Sequence, residues 1–270
     1  AAITVLGLWE YYLMAEKAGC HPLKFPGILF ALLLLVTKYP GASGADAGST
    51  GPDGGYTALA LVFALMFVFL TICALRRGLS FDVNGDLGVT VSGVLYLYLF
   101  SFILNISRLG PHGKYWLILI QIAVWICDSF AYFTGVNLGR KFFKNGLTKV
   151  SPNKSVEGAI GGIIFTIIVV LIFVKLFFLR ELRADLYSPS RGAFWFFCIL
   201  FAVVSGVCCE VGDLVESLFK RGFGVKDSGN LLMGHGGILD RFDSLIFTLP
   251  VAYVFLKISF YFFSPGGNSL

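Results

Sequence analysis

The chain has 270 residues, of which 57% are hydrophobic and only 14% charged, with 28 phenylalanines and a mean hydropathy of +0.81. No water-soluble globular domain of ordinary composition looks like this, so the sequence reads as a polytopic membrane protein. Its net charge of +5 is modest and scattered over loops, which argues against a nucleic-acid partner and for anionic lipid or nucleotide.

A bilayer core takes about 20 apolar residues as helix. Taken in chain order, the candidate spans are 1–15, 25–37, 57–75, 87–106, 115–136, 159–179, 193–209 and 244–263. They predict an all-α integral membrane bundle of about 8–9 transmembrane helices, the first two short enough to be a partial span and a tilted or re-entrant one. The chain opens on Ala1 and is apolar at once, which is read as an upstream segment lying outside this numbering, and no signal peptide is assigned. Residues 41–56 form a Gly/Ser/Ala-rich connector without the Gly-Lys-Ser/Thr ending of a phosphate-binding P-loop. Six cysteines form no CxxC pair, and Cys73, Cys127, Cys198, Cys208 and Cys209 lie in or beside apolar runs, as packing thiols do.

Charge places the loops. Arg140, Lys141, Lys144, Lys149 and Lys154 make residues 137–157 the densest basic run, which the positive-inside rule assigns to the cytoplasm. Two crossings later the polar stretch 210–243 returns to the same side. The two polar regions are therefore expected to meet where a cytoplasmic nucleotide has access.

The second region carries the chemistry. If residues 203–219 are helical, Glu210, Asp213, Ser217 and Lys220 recur at three- and four-residue steps and share one face. Gly222, Gly224 and Gly229 break that helix, and His235-Gly236-Gly237 reads as a turn whose backbone N–H groups can approach a phosphate. Asp240 and Asp243 follow, three apart at the start of the next apolar helix, so that both can face the same point as Asp213. Converging carboxylates beside Lys and Arg suggest Mg²⁺ with phosphates. The plainer reading is of solvated or snorkelling charges at membrane-helix ends. Asp128 is a separate signal: an ionised carboxylate inside an apolar run costs roughly 2.5–3.5 kcal/mol and needs a partner. Ser129 and Tyr132 extend its polar face.

The segments Ser217-Leu218-Phe219-Lys220-Arg221, Lys226-Asp227-Ser228-Gly229 and His235-Gly236-Gly237-Ile238-Leu239-Asp240-Arg241-Phe242-Asp243 together resemble the signature of the phosphatidate cytidylyltransferases, the CDP-diacylglycerol synthases. A weaker match covers Cys127-Asp128-Ser129-Phe130-Ala131-Tyr132 and residues 151–158, where Asn153 and Val156 replace the usual Lys and Trp; Met233 departs from the usual Pro or Gly. The resemblance implies transfer of the cytidylyl group of CTP to phosphatidate with release of pyrophosphate, by a catalytic membrane domain over 127–270, with 1–126 as scaffold. It further implies a divalent ion, Mg²⁺, with K⁺ as a candidate second ion, and a multi-pass location, expected in a bacterial inner membrane, with a homodimer as a candidate assembly. On this reading Asp213, Asp240 and Asp243 are the metal ligands. Lys220, Arg221, Lys226 and Arg241 contact phosphate, Asp227 belongs to the catalytic set, and His235 either stabilises its turn or donates to phosphate. Asp128, Lys154, Glu157, Ser217, Gly236 and Gly237 bind substrate. Two rivals stand beside it: a membrane lipid kinase, and a cation-coupled transporter with Asp128, Asp213 and Asp240 as its ion path, against which the absence of a visible internal repeat counts.

Overall fold

The computed structural model describes residues 1–38, 53–77, 82–109, 111–144, 146–179, 191–229 and 236–263. These residues fold into helices, with no strand among them and one isolated bridge between Gly146 and Ser155. In chain order the helices are α1 (Ala2–Lys17), α2 (Lys24–Val36), α3 (Asp53–Arg77), α4 (Val83–Tyr98), α5 (Phe102–Ser107), α6 (Gly113–Leu138), α7 (Val156–Phe173), α8 (Arg191–Gly222) and α9 (Leu239–Phe263). A 3₁₀ turn, Leu99–Ser101, joins α4 to α5, and a π turn, Val174–Phe178, prolongs α7.

Five of these stretches are long and apolar enough to cross a membrane: Val83–Ser107, Gly113–Leu138, Val156–Phe178, Gly192–Gly222 and Leu239–Phe260. The expected count of eight or nine is not reached among the described residues. At 1.5 Å per residue α1 and α2 are only about 24 Å and 20 Å long, short of the roughly 30 Å hydrocarbon core. The connector expected over 41–56 ends sooner than its composition suggests, because α3 already begins at Asp53.

The chain divides into two units. The first comprises Ala1–Ser101 and Phe219–Phe242. Here α1 packs on α2 and α4. Its Tyr12 hydroxyl donates to the Thr90 carbonyl at 2.9 Å, and its Tyr11 hydroxyl lies 3.0 Å from Ser92 Oγ. Both tyrosines are fully buried, and each polar tip has a partner, as burial demands. Tyr11 also meets Phe219 and Phe223 edge-on, with centroids 5.3 Å apart in each pair. Gly19, at φ +85°, ends α1 by turning the chain through the left-handed region; the Cys20 N–H reaches back to the Ala15 carbonyl.

The second unit comprises Phe102–Leu218 and Asp243–Leu270. Its core is aromatic: the fully buried Trp116 meets Phe197, Phe201 and Phe260 at 5.6–6.1 Å. Against this, α6 and α7 meet through small residues. A Cβ on Gly162 would lie 2.8 Å from the Cys127 carbonyl oxygen, and one on Gly158 2.8 Å from that of Ala131. Where lipid supplies no hydrophobic drive between helices, such close backbone approach gives dispersion instead. The same device recurs at Gly212 of α8: a Cβ there would stand 2.8 Å from Ser244 Cα and 2.9 Å from the Asp243 carbonyl oxygen on α9.

Candidate functional site

Both units carry polar clusters, and the sequence accounts for where they fall. The helix α8 runs unbroken to Gly222, so the expected helical stripe forms, and within the second unit Gly212 draws α9 against it. Asp213, Glu216 and Asp243 converge there, each offering a carboxylate oxygen within 4.8 Å of the others. At that spacing two like charges repel by at least about 3.5 kcal/mol at an effective dielectric of 20. Three carboxylates so placed form a hard, all-oxygen donor set, the kind that suits a hard divalent cation and not a soft thiophilic metal.

Lys154, just before α7, bridges to this stripe. Its Nζ lies 2.6 Å from Asp213 Oδ2 and 2.9 Å from Glu210 Oε2. Burial disfavours the ammonium, but Asp213 and Glu210 more than offset that, raising its pKa above the ordinary lysine range and keeping it charged. The basic loop and the acidic end of α8 therefore do meet, as the loop charges led us to expect. Asp128 on α6 accepts from the Cys209 thiol at 3.1 Å and from the Ser244 hydroxyl at 3.4 Å, which supplies the partners its apolar setting required. The Ser217 hydroxyl donates to Asp213 at 3.3 Å.

Glu157, expected to bind substrate, has a different set of contacts. It is 7% exposed and accepts from the backbone N–H groups of Arg140, Phe142 and Phe143 at 2.8–3.2 Å. Arg140 sits at φ 63°, and its guanidinium donates to the Pro152 carbonyl at 2.8 Å. The carboxylate thus shapes the loop that delivers Lys154.

In the first unit Asp240 is taken up by its own surroundings. It pairs with Lys220 at 2.9 Å and accepts from the Gly237 N–H at 2.8 Å and the Ser228 hydroxyl at 2.9 Å. The expected trio Asp213, Asp240 and Asp243 is therefore replaced in the converging group by Asp213, Glu216 and Asp243. Gly236, at φ +79°, adopts the left-handed turn for which glycine is suited. Arg221, Lys226, Asp227 and Arg241 are exposed, while His235 lies outside the described residues. Gly224, at φ +70°, reverses the chain after α8, where the Val225 N–H returns to the Lys220 carbonyl.

Three contributors escaped the sequence reading. Glu216 carried a signal, standing three residues after Asp213 on the same face. Ser244 and Gly212 carried none, because what they touch is set by how α8 meets α9.

Comparison with known proteins identifies the family. The family model described as the cytidylyltransferase family matches residues 1–259. Phosphatidate cytidylyltransferase of Bacillus subtilis is 32% identical over 233 residues, covering 86% of this chain and 79% of the relative. That of Staphylococcus saprophyticus is 34% identical over 263 residues, covering 93% and 90%. That of Thermotoga maritima is 38% identical over 169 residues, covering 63% and 58%. With a family match along nearly its whole length, and relatives of this identity across most of it, the chain belongs to the cytidylyltransferase family and is a nucleotidyltransferase of the membrane.

Proposed function

We propose that this chain transfers the cytidylyl group of CTP to phosphatidate, releasing pyrophosphate and leaving CDP-diacylglycerol in the bilayer, at a Mg²⁺-dependent site open to the cytoplasm. The relatives named for this activity support the substrates. The observation that carries the site is the convergence of Asp213, Glu216 and Asp243 beside Lys154.

A phosphate oxygen of phosphatidate attacks the α-phosphorus of CTP. A P–O bond forms, the bond to the bridging oxygen of the β-phosphate breaks, and pyrophosphate leaves with that electron pair. A phosphomonoester has a second pKa near ~6, so the nucleophile is already largely ionised and no strong base is needed. The difficulty is bringing two anions together and aligning them. A divalent cation held by Asp213, Glu216 and Asp243 would neutralise phosphate charge. Lys154 holds Asp213 and Glu210 in place and adds a fixed positive charge at the same point. Asp128 and Ser217 complete the polar lining. The exposed Arg221, Lys226 and Arg241 offer phosphate contacts, the arginines as planar forks and the lysine as a point charge. Asp227 and the His235-Gly236-Gly237 turn are assigned to the same substrate-contacting segment. The exposed Lys141, Lys144 and Lys149 support a cytoplasmic orientation of this end of the second unit.

The test is labelled CTP with phosphatidate in detergent micelles. A lipid-linked cytidine and free pyrophosphate are the expected products. Transfer of a γ-phosphate to diacylglycerol, or cation flux without CTP consumption, refutes the proposal.

A further inference from the structure

Glu10 is a buried acid that the reaction as written does not use. It lies in the middle of α1, 1% exposed, on a helix otherwise mostly apolar. One carboxylate oxygen accepts from the Ile238 N–H at 3.0 Å. The other accepts from the Leu239 N–H at 2.9 Å and lies 3.3 Å from the Ser228 hydroxyl. Ser228 Oγ in turn lies 2.9 Å from Asp240 Oδ2, so its single proton is shared between two carboxylates. The surroundings are cut to fit. A Cβ on Gly237 would run into both Ser228 and Glu10, and one on Gly229 would stand 2.9 Å from Glu10 Oε1.

The two N–H groups are at the very start of α9, where no earlier turn can satisfy them and where the helix dipole favours an anion. A carboxylate from a distant helix here does what a local capping residue does elsewhere, and it also ties down the loop holding Ser228. The same α9 carries Asp240, Arg241 and Asp243 within its first turns. Where α9 begins, and in what rotation, therefore decides where those three side chains go.

We propose that Glu10 is a positioning residue for the cytidylyl transfer, fixing the first turn of α9 and thereby the placement of Asp243 and Arg241. This rests on the metal and phosphate roles proposed above for those two residues. A glutamine at position 10 keeps the shape but turns an amide NH₂ towards one of the N–H donors, so one contact becomes repulsive.

The experiment compares wild type with Glu10→Gln, Ser228→Ala and Asp243→Asn in detergent. It reads backbone amide exchange over 236–243 without substrate, then kcat and the Mg²⁺ midpoint. For Glu10→Gln we expect exchange at Ile238 and Leu239 to quicken about tenfold or more, as loss of hydrogen bonds to a charged group implies. We also expect kcat to fall by about tenfold and the Mg²⁺ midpoint to rise several-fold, as a displaced ligand implies. Ser228→Ala should move each quantity in the same direction by less. A merely structural acid would lower the amount of folded protein while leaving the midpoint of the surviving enzyme unchanged, and that result overturns the proposal. If Glu10→Gln does not assemble, the Ser228→Ala midpoint decides in the same way. Should Asp243→Asn shift the midpoint when Glu10→Gln does not, the positioning role falls and the metal reading stands. Should Asp243→Asn leave the midpoint unchanged, the metal reading falls. Glu10 is then judged on exchange and kcat together: faster exchange with a lower kcat sustains the positioning role, and an unchanged kcat ends it.

Discussion

Replacing Gly212 with alanine tests the site through its scaffold, without touching a charged group. The added Cβ would sit 2.8 Å from Ser244 Cα, 2.9 Å from the Asp243 carbonyl oxygen and 3.0 Å from Phe247 Cβ. Two of those three atoms are backbone, so no side-chain rotation relieves them. Comfortable carbon contact begins near ~3.5 Å, so α8 and α9 must separate or rotate by roughly 0.7 Å at this level. Overpacking of this kind costs about 1–3 kcal/mol, offset slightly by the better helix propensity of alanine. The chemical cost should be larger than the structural one. Asp213 adjoins Gly212 on α8, and Asp243 supplies the contact on α9, so the two carboxylates move apart with their helices. An Mg²⁺ site demands near-ideal geometry, and misplacement on the 1 Å scale costs about a hundredfold in rate. We therefore expect Gly212→Ala to insert and to melt a few degrees lower, with kcat reduced by about one to two orders of magnitude and a raised Mg²⁺ midpoint. Gly192→Ala, on the same helix with nothing within 4 Å of its added carbon, is the control and should match wild type. The assay is CTP-dependent pyrophosphate release against Mg²⁺ concentration, with melting temperature in the same detergent. A wild-type kcat and midpoint in Gly212→Ala would refute the claim that close approach of α8 and α9 builds the site.

Asp213→Asn and Asp243→Asn should both fold, yet lose about a hundredfold or more in kcat, equivalent to about 2.7 kcal/mol of barrier, because each removes a full charge from the donor set. Near-normal activity with an unchanged Mg²⁺ midpoint in either variant removes that residue from the site. Lys154→Met leaves the 8%-exposed Glu210 facing Asp213 without the cation between them, so stability should fall by an amount on the order of 2–3 kcal/mol, seen as a lower melting temperature, while Lys154→Arg should restore most of it. Equal melting temperatures for Lys154→Met and wild type would show the bridge to be energetically idle. A single cysteine at Lys144, in an otherwise cysteine-free variant, should react with an impermeant thiol reagent only from the cytoplasmic face. Labelling from the opposite face reverses the proposed orientation.

Helix positions and the face of α8 were legible because both depend on short-range periodicity. The three- and four-residue steps from Glu210 to Lys220 hold as expected, and the loop charges foretold the contact of Lys154 with Asp213. What escaped depends on partners far apart in sequence. Asp240 and Asp243 look equivalent by spacing, yet Lys220, Ser228 and Gly237 claim the former while Asp213 and Glu216 meet the latter. Glu157 is assigned to substrate through the family resemblance alone, whereas the structure shows it accepting from three backbone N–H groups of the preceding loop. Glu10 stood in an apolar run just as Asp128 does, and the desolvation argument applied to one would have flagged the other. Its partners were not legible, since they are backbone groups more than two hundred residues away.

The glycine-lined seam between α6 and α7 also bears on the order in which the chain is made. These two helices are consecutive, joined by the 17-residue loop 139–155, and meet along that seam at backbone distance. They can therefore enter the bilayer as a finished hairpin while α8 is still being synthesised, with Glu157 already gathering the loop and Lys154 standing at its end. The helix that follows must bring Glu210 and Asp213 into a membrane, at roughly 2.5–3.5 kcal/mol for each unpaired charge. It meets a lysine already in place. The seam thus holds the end of α7 from which Lys154 reaches the carboxylates of α8, and a defect in it is expected to loosen that pairing before any substrate is bound.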